Sequence, residues 1–136
     1  MQVKTLFKNY RITKSRLSVN AVQAGQTFQI APRFECKLTG NDKEFSAMLS
    51  VGIEQTAQNK TPFDLSATIE GAFAIGADLQ NDREGQLRLA VETLFPYLRA
   101  FVSNLTALSA LPPFILPLID VEQMVSSMRS QDEMVN

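Results

Sequence analysis

The chain has 136 residues, 45% of them hydrophobic, and a formal net charge of -1 with basic and acidic side chains interleaved. That length supports one domain, 1–136, able to bury about two thirds of its unfolded surface, and the charge balance gives no electrostatic case for nucleic acid or an anionic membrane. A single cysteine, Cys36, excludes an internal disulfide, and with no histidine a zinc site would have to be built from one thiol and carboxylates, so no metal or cofactor is expected. The first residues, Met1 to Phe7, lack the apolar core of a signal peptide. No window approaches the roughly 18 apolar residues of a membrane span, so a cytoplasmic location without membrane insertion is expected.

A first strand is predicted over about Val3 to Val19. In a second, Phe34, Cys36 and Leu38 alternate with Arg33, Glu35 and Lys37 behind Pro32, which marks an edge or irregularity. The third has the clearest period of two: Phe45, Ala47, Leu49, Val51 and Ile53 against Ser46, Met48, Ser50, Gly52 and Glu54. After a connection from Gln55 to Pro62, the fourth repeats the pattern with Phe63, Leu65, Ala67 and Ile69, and continues through Phe73 and Ile75 beyond Gly71, a bulge or close-contact position.

Beyond Ile75 the period becomes helical. Asn81 and Glu84 have the spacing of a capping box, and Leu87, Val91, Leu94, Leu98, Val102, Leu105 and Leu108 follow at helical steps. Pro96 sits inside this run, so a bend is expected near Glu92 to Pro96. The other side of the helix carries small residues, among them Pro96, Ala100 and Ala107. A helix apolar over so much of its girth needs two partners, its own sheet and a second subunit. A Pro-rich stretch, Leu111 to Leu118, leads to Asp120, which has capping spacing to Gln123 and opens a short helix carrying Met124 and Met128. The expected fold class is α+β, a four-stranded antiparallel sheet packed by one long bent helix plus a short C-terminal helix.

Four segments carry a family resemblance. Phe7, Arg11, Ile12, Leu17, Ser18, Val19 and Ala21, then Gly71 to Ile75, then Leu94-Phe95-Pro96-Tyr97 with Arg99, and finally Leu116-Pro117-Leu118-Ile119-Asp120 resemble, in order and spacing, the corresponding segments of the SecB family of export chaperones. The resemblance implies a homotetramer, a dimer of dimers, that holds unfolded polypeptides in apolar grooves without nucleotide. By that analogy the client-binding surface is expected at Phe114, Ile115, Leu116, Leu118, Met124 and Met128, with Phe34 and Met48, and the subunit contact at Pro96, Ala100 and Ala107. Methionines suit a surface that must accept many sequences. The family docks the translocase motor SecA through carboxylates on the exposed sheet face. Here those positions fall at Arg16, Asn20 and Ser66, so docking on SecA is expected to be poor, and the client is either a precursor for export or the labile antitoxin of a toxin–antitoxin pair.

Catalysis finds little support, since a Ser or Cys nucleophile would lack the usual imidazole base and no glycine-rich phosphate loop is present. The rival reading is a small apolar-ligand carrier of the helix-grip type. Such a carrier usually has more than four strands, ends on its long helix, and is normally a monomer.

Overall fold

The computed structural model describes residues 4–22 and 25–127. Four strands, β1 (Leu6–Val19), β2 (Arg33–Gly40), β3 (Glu44–Ile53) and β4 (Phe63–Ala74), form one antiparallel sheet in the order β1-β4-β3-β2. A long helix, α1 (Arg83–Leu108), lies across one face, and residues 121–127 form a second helix, α2. The α+β class and the two helices agree with the pattern read from the sequence.

Alternation decides which face of the sheet is covered. Phe45, Ala47, Leu49, Val51 and Ile53 of β3 and Phe63, Leu65, Ala67, Ile69 and Phe73 of β4 are all buried beneath α1, and their neighbours along each strand face outward. Each large side chain so buried contributes roughly 1.5–3 kcal/mol relative to exposure. Gly71 stays within this regular ladder. A β-carbon there would lie 2.7 Å from Leu94 Cδ2, so the glycine lets the helix settle close to the sheet, and the close-contact reading holds rather than the bulge.

The irregularities lie instead in β1. Phe7, Ile12 and Leu17 are five residues apart, a spacing that strict alternation would send to opposite faces. Their partners on β4 are Phe73, Ile69 and Leu65, four apart, with register shifts between Phe7 and Asn9 and between Ile12 and Lys14. Each shift absorbs one extra residue of β1, and all three apolar side chains reach the core.

Helix α1 starts one residue later than the capping box implied. Asp82 is the cap, its carboxylate accepting from the Gly85 N–H at 2.9 Å, while Asn81 takes a left-handed φ of 58° in the preceding turn. Gly85 is fitted to that cap, because a β-carbon there would meet Asp82 Oδ2 at 2.3 Å. The helix is continuous through Pro96. The carbonyl deprived of its donor belongs to Glu92, an exposed residue, where water can replace the lost bond. Leu87, Val91, Leu94, Leu98 and Val102 are buried as the periodicity predicts, but the stripe does not end at Leu108, which is 86% exposed. Four residues beyond Val102 the buried position is Thr106, whose hydroxyl donates within the helix to the carbonyls of Val102 and Ser103, both at 3.0 Å.

Candidate functional site

Where α1 ends, Ala110 adopts a left-handed φ of 63° and the chain turns back, the Leu111 N–H donating to the Thr106 carbonyl at 3.2 Å. From there the segment runs without regular structure over the open end of the core. The Phe114 N–H donates to Thr106 Oγ1 at 2.9 Å, and the Phe114 ring meets Phe63 edge-on, with centroids 5.7 Å apart. Leu116 has no exposure at all and Ile119 packs on the same core, whereas Ile115 is 58% and Leu118 81% exposed. Between the anchors Phe114, Leu116 and Ile119 the chain leaves Ile115, Pro117 and Leu118 exposed. The result is an apolar ridge anchored by buried neighbours.

Asp120 closes the segment as expected, accepting the Gln123 N–H at 3.2 Å. Helix α2 then packs Val125 against Leu87, with Val121, Met124, Cys36 and Leu38 around them. Burial pushes the Cys36 thiol up to about 12, so it remains a protonated, apolar filler at neutral pH. A two-point ion pair fixes the outer side of α2, Arg88 of α1 meeting Glu122 through Nε to Oε1 and through Nη2 to Oε2 at 2.9 Å. The hydrogen bond from Arg88 holds the Glu122 carboxyl below its ordinary range.

The nominated client residues divide on this geometry. Ile115 and Leu118 are both exposed along this segment, and half-buried Phe114 anchors it. Leu116 corrects the expectation, since complete burial makes it an anchor rather than an offered surface. Phe34 stands edge-on to Phe95 at 5.9 Å on the covered side of the sheet, and half-buried Met124 belongs to the packing of α2. Met48 is exposed on the opposite face, opposite Lys37 of β2, because its neighbours Ala47 and Leu49 take the inward positions. Met128 lies outside the described residues.

Pro96, Ala100 and Ala107 are all exposed on α1. Beside them is an aromatic pair that periodicity did not single out: Tyr97, 41% exposed, stacks on Tyr10 of β1 at 4.3 Å. β1 is an edge strand, and Leu6 and Val19 at its two ends are both exposed.

On the outer face, Arg16 and Ser66 are direct cross-strand partners, and the Asn20 N–H donates to the Pro62 carbonyl at 2.9 Å just beyond. The three positions are thus brought together. Asp64 sits between them: Asn20 Nδ2 donates to its carboxylate at 2.9 Å and the Gln55 N–H at 3.1 Å. Those bonds, the Asn20 one foremost, with the nearby charge of Arg16, hold the Asp64 carboxyl below its usual value. Among the described residues no cluster of metal-ligating side chains is found, and no helix is long and apolar enough to cross a membrane.

A family model described as Preprotein translocase subunit SecB matches residues 6–132. The chain is 27% identical over 134 residues to an uncharacterized protein of Methanocaldococcus jannaschii, covering 93% of this chain and 86% of that protein. It is 30% identical over 91 residues to the protein-export protein SecB of Anaplasma marginale, covering 65% of this chain and 52% of that protein. Among solved structures, it is similar in fold to a SecB-like chaperone of Mycobacterium tuberculosis in complex with a ChAD peptide from the HigA1 antitoxin, with a TM-score of 0.69, 18% identity, and coverage of 86% of this chain and 91% of that one. A Streptococcus agalactiae protein of unknown function is a more distant match, with a TM-score of 0.53 and 11% identity, covering 87% of this chain and 99% of that one.

Proposed function

The chain belongs to the SecB family, and from that premise we propose that it is an ATP-independent holdase, one domain over 1–136, that keeps unfolded polypeptides from aggregating. The observation that carries this reading is the ridge of Ile115 and Leu118, left exposed by a segment whose neighbouring residues Phe114 and Leu116 are sunk into the core. Exposed apolar side chains on a firmly anchored backbone can cover apolar stretches of many sequences, and little chain entropy is lost on binding.

The chaperone assembles as a homotetramer, or at least a dimer. Pro96, Ala100 and Ala107, with the Tyr10–Tyr97 stack beside them, form the contact on α1. Small residues let a second helix approach closely, and the stacked tyrosines add area that a monomer leaves half in water.

The client is a labile cytosolic protein such as an antitoxin in preference to a precursor handed to SecA. Support comes from the M. tuberculosis relative with its bound antitoxin peptide, and from Arg16, Asn20 and Ser66 on the outer face, where one cation and two neutral side chains replace the family's carboxylates. A helix-grip carrier is disfavoured by packing: Phe73, Ile69, Leu49, Leu94 and Leu98 fill the space between sheet and helix with essentially no exposure. The deciding experiment is aggregation of a chemically unfolded client with and without the protein, no nucleotide present. Suppression at near-stoichiometric ratio is expected; an unaltered aggregation rate would overturn the reading.

A further inference from the structure

We infer that Thr106 is the positioning residue that decides which side chains of Phe114-Ile115-Leu116, within the 112–119 segment, face a client. The inference rests on the client-holding reading of that segment and adds to it a determinant outside the ridge, on a helix position with no exposure of its own.

The geometry is specific. Thr106 Oγ1 lies 3.0 Å from the carbonyls of Val102 and Ser103, to which the hydroxyl proton points, and this leaves its lone pairs free to accept the Phe114 N–H at 2.9 Å. The same residue's carbonyl accepts the Leu111 N–H. Among the described residues no other hydrogen bond holds the backbone of 112–119. Three prolines, Pro112, Pro113 and Pro117, remove donors from the segment and keep it extended.

In an extended chain, fixing one residue fixes the phase of its immediate neighbours, here as far as Leu116, beyond which the alternation breaks and Pro117 and Leu118 are both exposed. With the Phe114 N–H held against the helix, the Phe114 ring drops onto Phe63, Ile115 must point out and Leu116 must point in. A slip by one residue would bury Ile115 and expose Leu116. Apolar contacts alone oppose that slip weakly, since Ile and Leu are close in volume and polarity. The directional bond to Thr106 distinguishes the two registers.

The test is Thr106→Val, which keeps the shape of the side chain and removes the acceptor, compared with Thr106→Ser, which keeps the acceptor. Two quantities are read: hydrogen exchange of the Phe114 amide, and the Kd for reduced, carboxymethylated α-lactalbumin as a permanently unfolded probe. In Thr106→Val the amide should exchange at least about tenfold faster and the Kd should rise by about tenfold, while Thr106→Ser should restore both. A merely structural threonine would alter the exchange and the denaturation midpoint but leave the Kd unchanged, which overturns the inference. An amide still protected in Thr106→Val overturns it too, because the segment would then be held by something else. If the wild type itself does not bind the probe, the client-holding reading fails and this inference fails with it. Wild-type binding that is unaltered in Thr106→Val sinks the inference alone. Should Thr106→Val lose its fold, Thr106→Cys, whose sulfur is a much weaker acceptor, is read by the same two measurements.

Discussion

Residues 115 and 116 are adjacent and similar in size, yet the structure assigns them opposite roles, and a pair of alanine substitutions separates those roles. Leu116 has no exposure, so Leu116→Ala removes core atoms and leaves a cavity, at a cost of about 2–5 kcal/mol. The segment that carries it can partly collapse into the gap, which favours the lower end, about 2–3 kcal/mol. At about 4 °C per kcal/mol for a domain of this size, Tm should fall by roughly 8–12 °C. Ile115 is 58% exposed, so Ile115→Ala should change stability by no more than about 0.5 kcal/mol. Binding reverses the order. Covering the exposed part of Ile115 under a client is worth about 1–2 kcal/mol, so its loss should raise the Kd for an unfolded client roughly five- to thirtyfold. Thermal unfolding and client binding at one fixed protein concentration measure both quantities, the fixed concentration being needed because an oligomer's Tm depends on it. If Ile115→Ala unfolds as readily as Leu116→Ala, or binds client with wild-type affinity, the division into anchors and ridge is wrong.

Three further outcomes are expected. Ala100→Glu places a charge on the exposed small-residue side of α1 and should dissociate the assembly, read by light scattering; a wild type already monomeric at micromolar concentration would remove both the subunit contact and its support for the chaperone reading. Because the Glu122 carboxyl is held low by Arg88, the pair's contribution is complete above the ordinary carboxylate pKa and is lost as pH falls through the depressed folded value; the protection of α2 amides relative to their intrinsic exchange at each pH should therefore drop on the acid side, Glu122→Gln should lack that step, and an identical acid profile in the variant would show that the clamp contributes nothing. Restoring acidity with Arg16→Asp and Ser66→Glu should tighten binding to the C-terminal zinc-binding segment of SecA in a salt-dependent way, and tight wild-type binding unchanged in the variant would place the docking face elsewhere. Asn20→Glu is best left out of that variant, since it would set a second carboxylate beside Asp64, which Asn20 now hydrogen-bonds at 2.9 Å.

The sequence was most legible where one physical rule acted alone. In β3 and β4, burial on a single face imposes strict alternation, and the apolar residues of 45–53 and 63–69 could be assigned directly to the core. In β1 two rules compete, pairing and the extra residues that interrupt it, so Phe7, Ile12 and Leu17 show no period of two and their common face emerges only from the register with β4. The helix was found, but its cap was displaced by a residue because Asn81 and Asp82 are both good caps and the left-handed turn at Asn81 decides between them. Thr106 escaped notice because apolar periodicity cannot see a buried hydroxyl that bonds its own helix. In 111–119 the prolines suppress any period, so nothing in Phe114-Ile115-Leu116 tells inward from outward; family likeness located the segment, and geometry sorted its residues. Met48 shows the reverse. Its outward phase was plain in the alternation of β3, and the likeness to a client surface drew it into a group on the other face.

The order of the strands also bears on how the molecule is made. β1 precedes the other strands in the chain yet pairs with β4, so Val19 is made 44 residues before its partner Phe63 and Leu6 is made 68 before Ala74. At about 5–20 residues per second, the first strand waits roughly 2–14 s on the ribosome for its place in the sheet. During that interval it is itself an unpaired, partly apolar extended segment. Its four cations, Lys8, Arg11, Lys14 and Arg16, with no carboxylate among them, give it a like charge that opposes pairing with another copy of the same strand. A protein whose proposed task is to shield unfinished chains thus passes through its own unfinished state with charge as its shield.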